Sequence, residues 1–260
     1  MTKAGRVGVF YNPYRQIAAC SVPHRFHVHS KQVPLEKVLA VQPQVQIVPT
    51  IDKVKGKAFP VVSIMEGMNC ALVDLTDAPE VFAALQAGKA PDVELDEGWP
   101  TGIVACLYYK HREKSEQEGE PTIHNLQTRM TSYGTENTGS GSAACALSCY
   151  LALTEATDSE VKPAPGPAPA ASAPATRTRA DGDADAELAS KTAAIDLSKT
   201  RKPERTERKV FGIQEGVEIG RLSTMAVEVD VKREPDGEAA IVNVILSGRA
   251  SFQTKGELMM

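Results

Sequence analysis

No stretch of this 260-residue chain comes near the ~18–20 consecutive apolar residues that a membrane span requires. The opening "MTKAGRVGVFYNP" also lacks the apolar core of a secretory signal. The expectation is a soluble, cytoplasmic protein with no membrane partner. Excess positive charge is missing too: 29 Lys and Arg stand against 33 Asp and Glu, a formal net charge of −4. Without a dominant basic face, nucleic acid is not an expected partner. Cysteine is sparse and unpatterned. Cys20, Cys70, Cys106, Cys145 and Cys149 are odd in number and never form CxxC, which indicates neither a disulfide framework nor a zinc site. Cys145 and Cys149, four apart in an apolar run, read as small hydrophobes packed in a helix.

What is present falls into three zones. Hydrophobic residues make up 42% of the chain, enough for a sizeable core. Residues 1–155 hold strand-like runs rich in β-branched residues: "RVGVFY", "RFHVHS", "VQIVPTI", "FPVVSIM", "NCALVDL" and "GIVACLYY". Between them "PLEKVLAVQ" and "DAPEVFAALQAGK" carry helical spacing, the second with Asp77 and Pro79 at its start and Gly88 at its stop. Residues 156–207 are rich in proline, alanine and charge, and predict a disordered, solvated insertion with a weak helix at "DADAELASKTAAI". Residues 208–260 return to strand alternation in "RKVFGIQEGVEIG", "TMAVEVDVKR" and "AAIVNVILSGRASFQTKGEL", with a tight turn at "PDGE". Strands on both sides of one apolar helical run predict an α+β lobe with a mixed, mostly antiparallel sheet, not a Rossmann series.

The chemistry concentrates in "TENTGSGSAACALSCYLALTE", Thr135 to Glu155. Glycines and small hydroxyl residues open a buried helix whose first turn exposes unpaired N–H groups. Such a mouth either receives a carboxylate or phosphate or is capped by its own Thr138, Ser140 or Ser142. It lacks the lysine of a P-loop and the spacing of GxGxxG. Elsewhere, "PHRFHVHS" sets His27 and His29 on one face of a strand with His24 nearby, but no third ligand stands at diagnostic spacing, and no metal is expected. Glu66 and Glu136 are acidic residues that either cap and face water or stand in as bases. Asp74 is a strand-end residue.

Several segments together resemble the PhzF-like isomerases of phenazine biosynthesis, part of the diaminopimelate-epimerase-like superfamily. Arg129-Met130 followed by Glu136-Asn137-Thr138-Gly139-Ser140-Gly141-Ser142-Ala143 is similar to the motif that opens that family's central helix. "IQEGVEIGRLS" resembles its glutamine-glycine…glycine-arginine-proline-serine element, "VILSGRASFQTKGEL" its closing strand, and "FPVVSIMEGMNCALVDLTD" an earlier strand pair. The resemblance runs from about Phe59 to Leu258 and implies a sheet curled around a central helix, as in one diaminopimelate-epimerase-like lobe. It implies a cofactor-independent isomerase that moves a proton on a small carboxylate-bearing metabolite. Gly141 and Ser142 match the family's backbone contacts to the substrate carboxylate, with Ser140 beside them. Arg221 and Arg249 recur in its strand motifs and are expected in buried polar contacts.

Two departures bear on activity. The family's N-terminal asparagine-x-serine-glutamate and glycine-histidine-proline-threonine motifs are absent, so the resemblance covers the second lobe alone. The motif aspartate is Asn137, which hydrogen-bonds but carries no proton. The alternative expectation is therefore a catalytically inactive remnant or small-ligand binding protein. A lone lobe exposes apolar surface, so a homodimer or a separate N-terminal lobe is the expected partner.

Overall fold

The computed structural model describes residues 7–116, 121–158, 206–233 and 239–249. The chain opens with β1 (Val9–Asn12), β2 (Ile17–Ser21), β3 (His27–Val28) and β4 (Val33–Pro34), then α1 (Leu35–Val41). Two 3-10 turns, Pro43–Ile47 and Pro49–Val54, lead to β5 (Ala58–Phe59), β6 (Val61–Met65), β7 (Met68–Asp74) and α2 (Pro79–Ala84). Next come β8 (Ile103–His111), β9 (Ile123–Ser132), β10 (Thr135–Glu136) and α3 (Gly141–Asp158). The described chain closes with β11 (Thr206–Glu215), β12 (Ser223–Arg233) and β13 (Ala239–Arg249). No helix among the described residues is long and apolar enough to cross a membrane.

One mixed sheet of 11 strands dominates, in the order β1-β2-β13-β12-β11-β9-β8-β7-β6-β3, with β10 paired to β9. Among the described strands, only β7 with β8 and β9 with β11 run parallel; the other pairs are antiparallel. Those parallel pairs need crossovers, and α2 lies in the first and α3 in the second. The expected α+β class and mixed sheet hold. α3 packs against β12 and β13 from one part of the sheet and β6 and β7 from another.

The residue pattern explains both faces. Leu72 on β7 and Ala105, Leu107 and Tyr109 on β8 face the cluster around α3, while Ala71, Val73, Cys106 and Tyr108 face a second cluster under α1 and α2. Strands covered on both faces read as unbroken apolar runs, which is how "NCALVD" and "VACLYY" look. On α3, Ala143 through Cys149 are all buried, and a helix apolar all round belongs in an interior.

Some expectations are corrected. "VQIVPTI" is not a strand, because Pro43 and Pro49 at the first helical positions fix φ and open the two 3-10 turns instead. β2 escaped prediction since "IAACS" is short and alanine-rich, and its partner β13 is more than 200 residues distant. The helical run at "EVFAALQAGK" ends at Ala84, before Gly88. α3 continues to Asp158 and β11 starts at Thr206; the insertion expected over 156–207 otherwise lies outside the described residues. The weak helix at "DADAELASKTAAI", the "PDGE" turn and the segment after Arg249 lie outside the described residues.

Candidate functional site

The mouth of α3 is built by a two-residue hairpin. Tyr133 and Gly134 both take positive φ, 51° and 83°, and Thr135 and Glu136 pair back on Ser132 and Thr131. The chain then crosses from Asn137 to Ser140 into the helix. The Asn137 amide donates to the Met130 carbonyl (2.9 Å) and its side chain lies against Met130 Sδ (3.4 Å). Asn137 is exposed at the lip, while Ser140, Gly141 and Ser142 are partly buried. Ser140 caps the helix: its hydroxyl accepts from Ala143 N (3.4 Å) and its carbonyl from Ala144 N (2.9 Å). Among the described residues, the amides of Gly141 and Ser142 have no hydrogen-bond partner.

The glycines here answer to packing. A Cβ on Gly139 would stand 2.8 Å from Ser223 Oγ, and one on Gly141 would stand 2.6 Å from Leu246 Cδ2. Space on the β12–β13 side, rather than approach of a ligand, favours glycine at 139, while at 141 only the end of the Leu246 side chain would have to turn aside.

A buried carboxylate lies directly beneath the mouth. Ser140 N donates to Glu215 Oε2 (3.1 Å), and Glu215 Oε1 is buried with no partner among the described residues. Glu215 is fully buried. Desolvation, with the nearby Glu136 charge adding to it, raises its pKa to about 7. Sequence reasoning missed Glu215, although a signal existed: it shares the period-two face of β11 with Phe211 and Ile213, both in the core. Beside Ser142, a small cavity of about 30 Å³ is lined by Asn69, Cys70, Ile103, Met130 and Ala146. It has room for about one water. The loop from Gly216 to Leu222 flanks the lip, with Val217 and Leu222 exposed.

Other residues picked from sequence take structural places. Glu136 is held by Arg129 through two bonds of 2.8 and 2.7 Å, both side chains buried, so it is not a free base. Arg129 also donates to the Phe82 carbonyl (2.9 Å), which pins α2 to the hairpin. Glu66 is exposed and paired with Arg25. Arg221 and Arg249 are exposed rather than in the expected buried contacts, because each stands where its strand or loop has turned to solvent. Asp74 accepts from Thr76 N (2.9 Å) at the end of β7. Burial pushes the Cys106 and Cys145 thiols up to about 12 and raises those of Cys70 and Cys149 as well.

A second cluster gathers at the far edge of the sheet, away from the sequence motif. His27 and His29 meet Asp96, which the long β7–β8 connection brings back, and Trp99 stacks on His27 at 4.7 Å.

No protein-family model matches the sequence, and no curated protein matches it. Among solved structures, the chain is similar to the crystal structure of a Bacillus anthracis phenazine biosynthesis protein of the PhzF family, at 11% identity and a TM-score of 0.43. The match covers 98% of this chain and 64% of that one, so this chain spans less than two thirds of that protein's length. The likeness concerns the path of the chain and assigns no residue a role.

Proposed function

We propose that the mouth of α3 binds a small carboxylate-bearing metabolite. Its carboxylate would lie on the Gly141 and Ser142 amides, with the Ser142 hydroxyl beside it and the exposed Val217 and Leu222 against its apolar part. One observation carries this reading: the two amides have no partner among the described residues, while the neighbouring Ser140 amide already holds a carboxylate, that of Glu215. N–H groups at the positive end of an 18-residue helix favour an anion by dipole and by hydrogen bond. The motif likeness to PhzF-like proteins supports the same residues, within one diaminopimelate-epimerase-like lobe.

Isomerisation is the second reading, and Glu215 favours it. A carboxyl group with a pKa near 7 and one unpartnered oxygen suits proton transfer close to neutral pH. In this reading the mouth would open to bring a carbon of the metabolite against the buried Glu215, which would take a proton there and return it to another carbon, without cofactor or change in oxidation state. Asn137 positions the ligand at the lip and carries no proton.

Titration calorimetry with lactate, malonate, succinate and benzoate tests binding. At least one should bind, and Ser142→Ala should weaken it about 5–10-fold, the worth of one hydrogen bond. If none binds at millimolar concentration, the site reading fails. Deuterium uptake at carbon from heavy water, lost in Glu215→Gln with binding retained, separates isomerase from binder.

A further inference from the structure

We propose that His27 Nε2, His29 Nδ1 and a carboxylate oxygen of Asp96 form a binding site for one divalent ion of the zinc class, at the β3 edge of the sheet. The sequence offers two histidines and no third ligand; the fold supplies it from the β7–β8 connection. The three donor atoms lie within 4.8 Å of one another. Asp96 Oδ2 is 2.8 Å from His27 Nε2 and 3.9 Å from His29 Nδ1. Tetrahedral ligation at about 2.0–2.2 Å needs donors about 3.3 Å apart, so each Asp96 pair adjusts by about half an ångström and the two histidine nitrogens, within 4.8 Å of each other, close by at most about 1.5 Å.

The surroundings prepare these donors. Asn69 Nδ2 donates to the carbonyls of Pro100 (3.2 Å) and Thr101, which turns its Oδ1 toward Ser63. The Ser63 hydroxyl donates to that oxygen (2.6 Å), so Ser63 Oγ must accept from His29 Nε2–H (2.8 Å). The proton of the buried His29 ring is thereby assigned to Nε2, and Nδ1 presents its lone pair toward Asp96. A ligating histidine held through its other nitrogen is the usual outer-shell arrangement of metal sites. Ser30 donates to Asp96 through its hydroxyl (2.6 Å) and its amide, fixing the carboxylate.

The Asp96 amide also donates to His29 Nδ1 (3.1 Å), and a bound ion would take the lone pair in its place. A loop tether would need only the His27–Asp96 pair; a buried neutral His29 aimed at the same carboxylate exceeds that need. Imidazole and carboxylate together favour zinc-class ions over magnesium or calcium. The side chains of His27 and Asp96 are 33% and 26% exposed, which leaves an entry path and room for a water ligand.

Trp99, the sole tryptophan, stacks on His27 at 4.7 Å and meets His29 edge-on at 5.5 Å, so its fluorescence reports the site. The full chain, stripped with chelator, is titrated with Zn²⁺, Co²⁺ and Mg²⁺ alone. The expected result is one Zn²⁺ or Co²⁺ per chain at micromolar concentration, with quenching of Trp99 by Co²⁺ and no response to Mg²⁺. His27→Ala and Asp96→Asn should each cut affinity at least tenfold, and Ser63→Ala, which frees the His29 tautomer, by about 10–100-fold. Circular dichroism confirms that the variants tested are folded, and His27→Gln replaces any that is not. Absence of stoichiometric binding by the folded wild type, or binding that survives both ligand substitutions, overturns the proposal.

Discussion

At the scale of single residues, Glu215 decides the most. Its pKa is raised to about 7, so the fold prefers the protonated form. Between the ordinary glutamate pKa and that value the native state holds a proton the unfolded state has lost. Stability therefore falls as pH rises through this window, by up to about 3 kcal/mol, and is lowest above it. Glu215→Gln should flatten the pH profile of the melting temperature and stabilise the protein at pH above about 7; an unchanged profile would mean that Glu215 ionises freely. The Arg129–Glu136 pair makes the opposite case. Arg129→Met strands a buried carboxylate and should cost about 3–5 kcal/mol, while Arg129→Met with Glu136→Leu should recover most of it. Chemical denaturation of both variants checks this. The sequence showed both acidic residues but not their states. Glu136 looked available and is clamped, whereas Glu215 looked like an ordinary strand residue and is the buried titrating group.

At the scale of elements, α3 is the piece most legible in the sequence. Its unbroken run of small apolar residues announced a buried helix, and the β-branched runs of β7 and β8 announced strands, whose burial on both faces the structure adds. Pairings between distant segments were not legible, β2 with β13 or Asp96 with β3, because local pattern carries no information on which far segment closes a contact. The glycines of the mouth show the same limit: they suggested ligand approach, and their neighbours Ser223 and Leu246 give the packing reason. Gly139→Ala should push on Ser223 of β12 and cost about 1–3 kcal/mol, as overpacking does; a neutral result in a melting experiment would show that this corner yields. The cysteines give another check on α3. Native thiol titration should find Cys20 reactive, while Cys70, Cys106, Cys145 and Cys149, all buried with raised pKa, react only on unfolding.

At the scale of the whole molecule, the sheet holds the two polar clusters on which the proposals rest, the α3 mouth and the β3 edge. They are joined by one relay, since Asn69 both orients Ser63 under His29 and lines the cavity beside Ser142. The mouth carries the central claim, that free amides at a helix start receive a carboxylate next to a carboxyl group of tunable charge. An ionised Glu215 repels such a ligand and a protonated one does not, so binding should strengthen as pH falls through about 7. The most direct measurement follows the backbone amide resonances of Gly141 and Ser142 while malonate or succinate is added, at pH values on either side of about 7, in wild type and Glu215→Gln. The account expects shifts centred on those two amides, tighter binding at the lower pH in wild type, and no such pH dependence in the variant. Shifts elsewhere, or affinity that ignores both pH and Glu215, would contradict it.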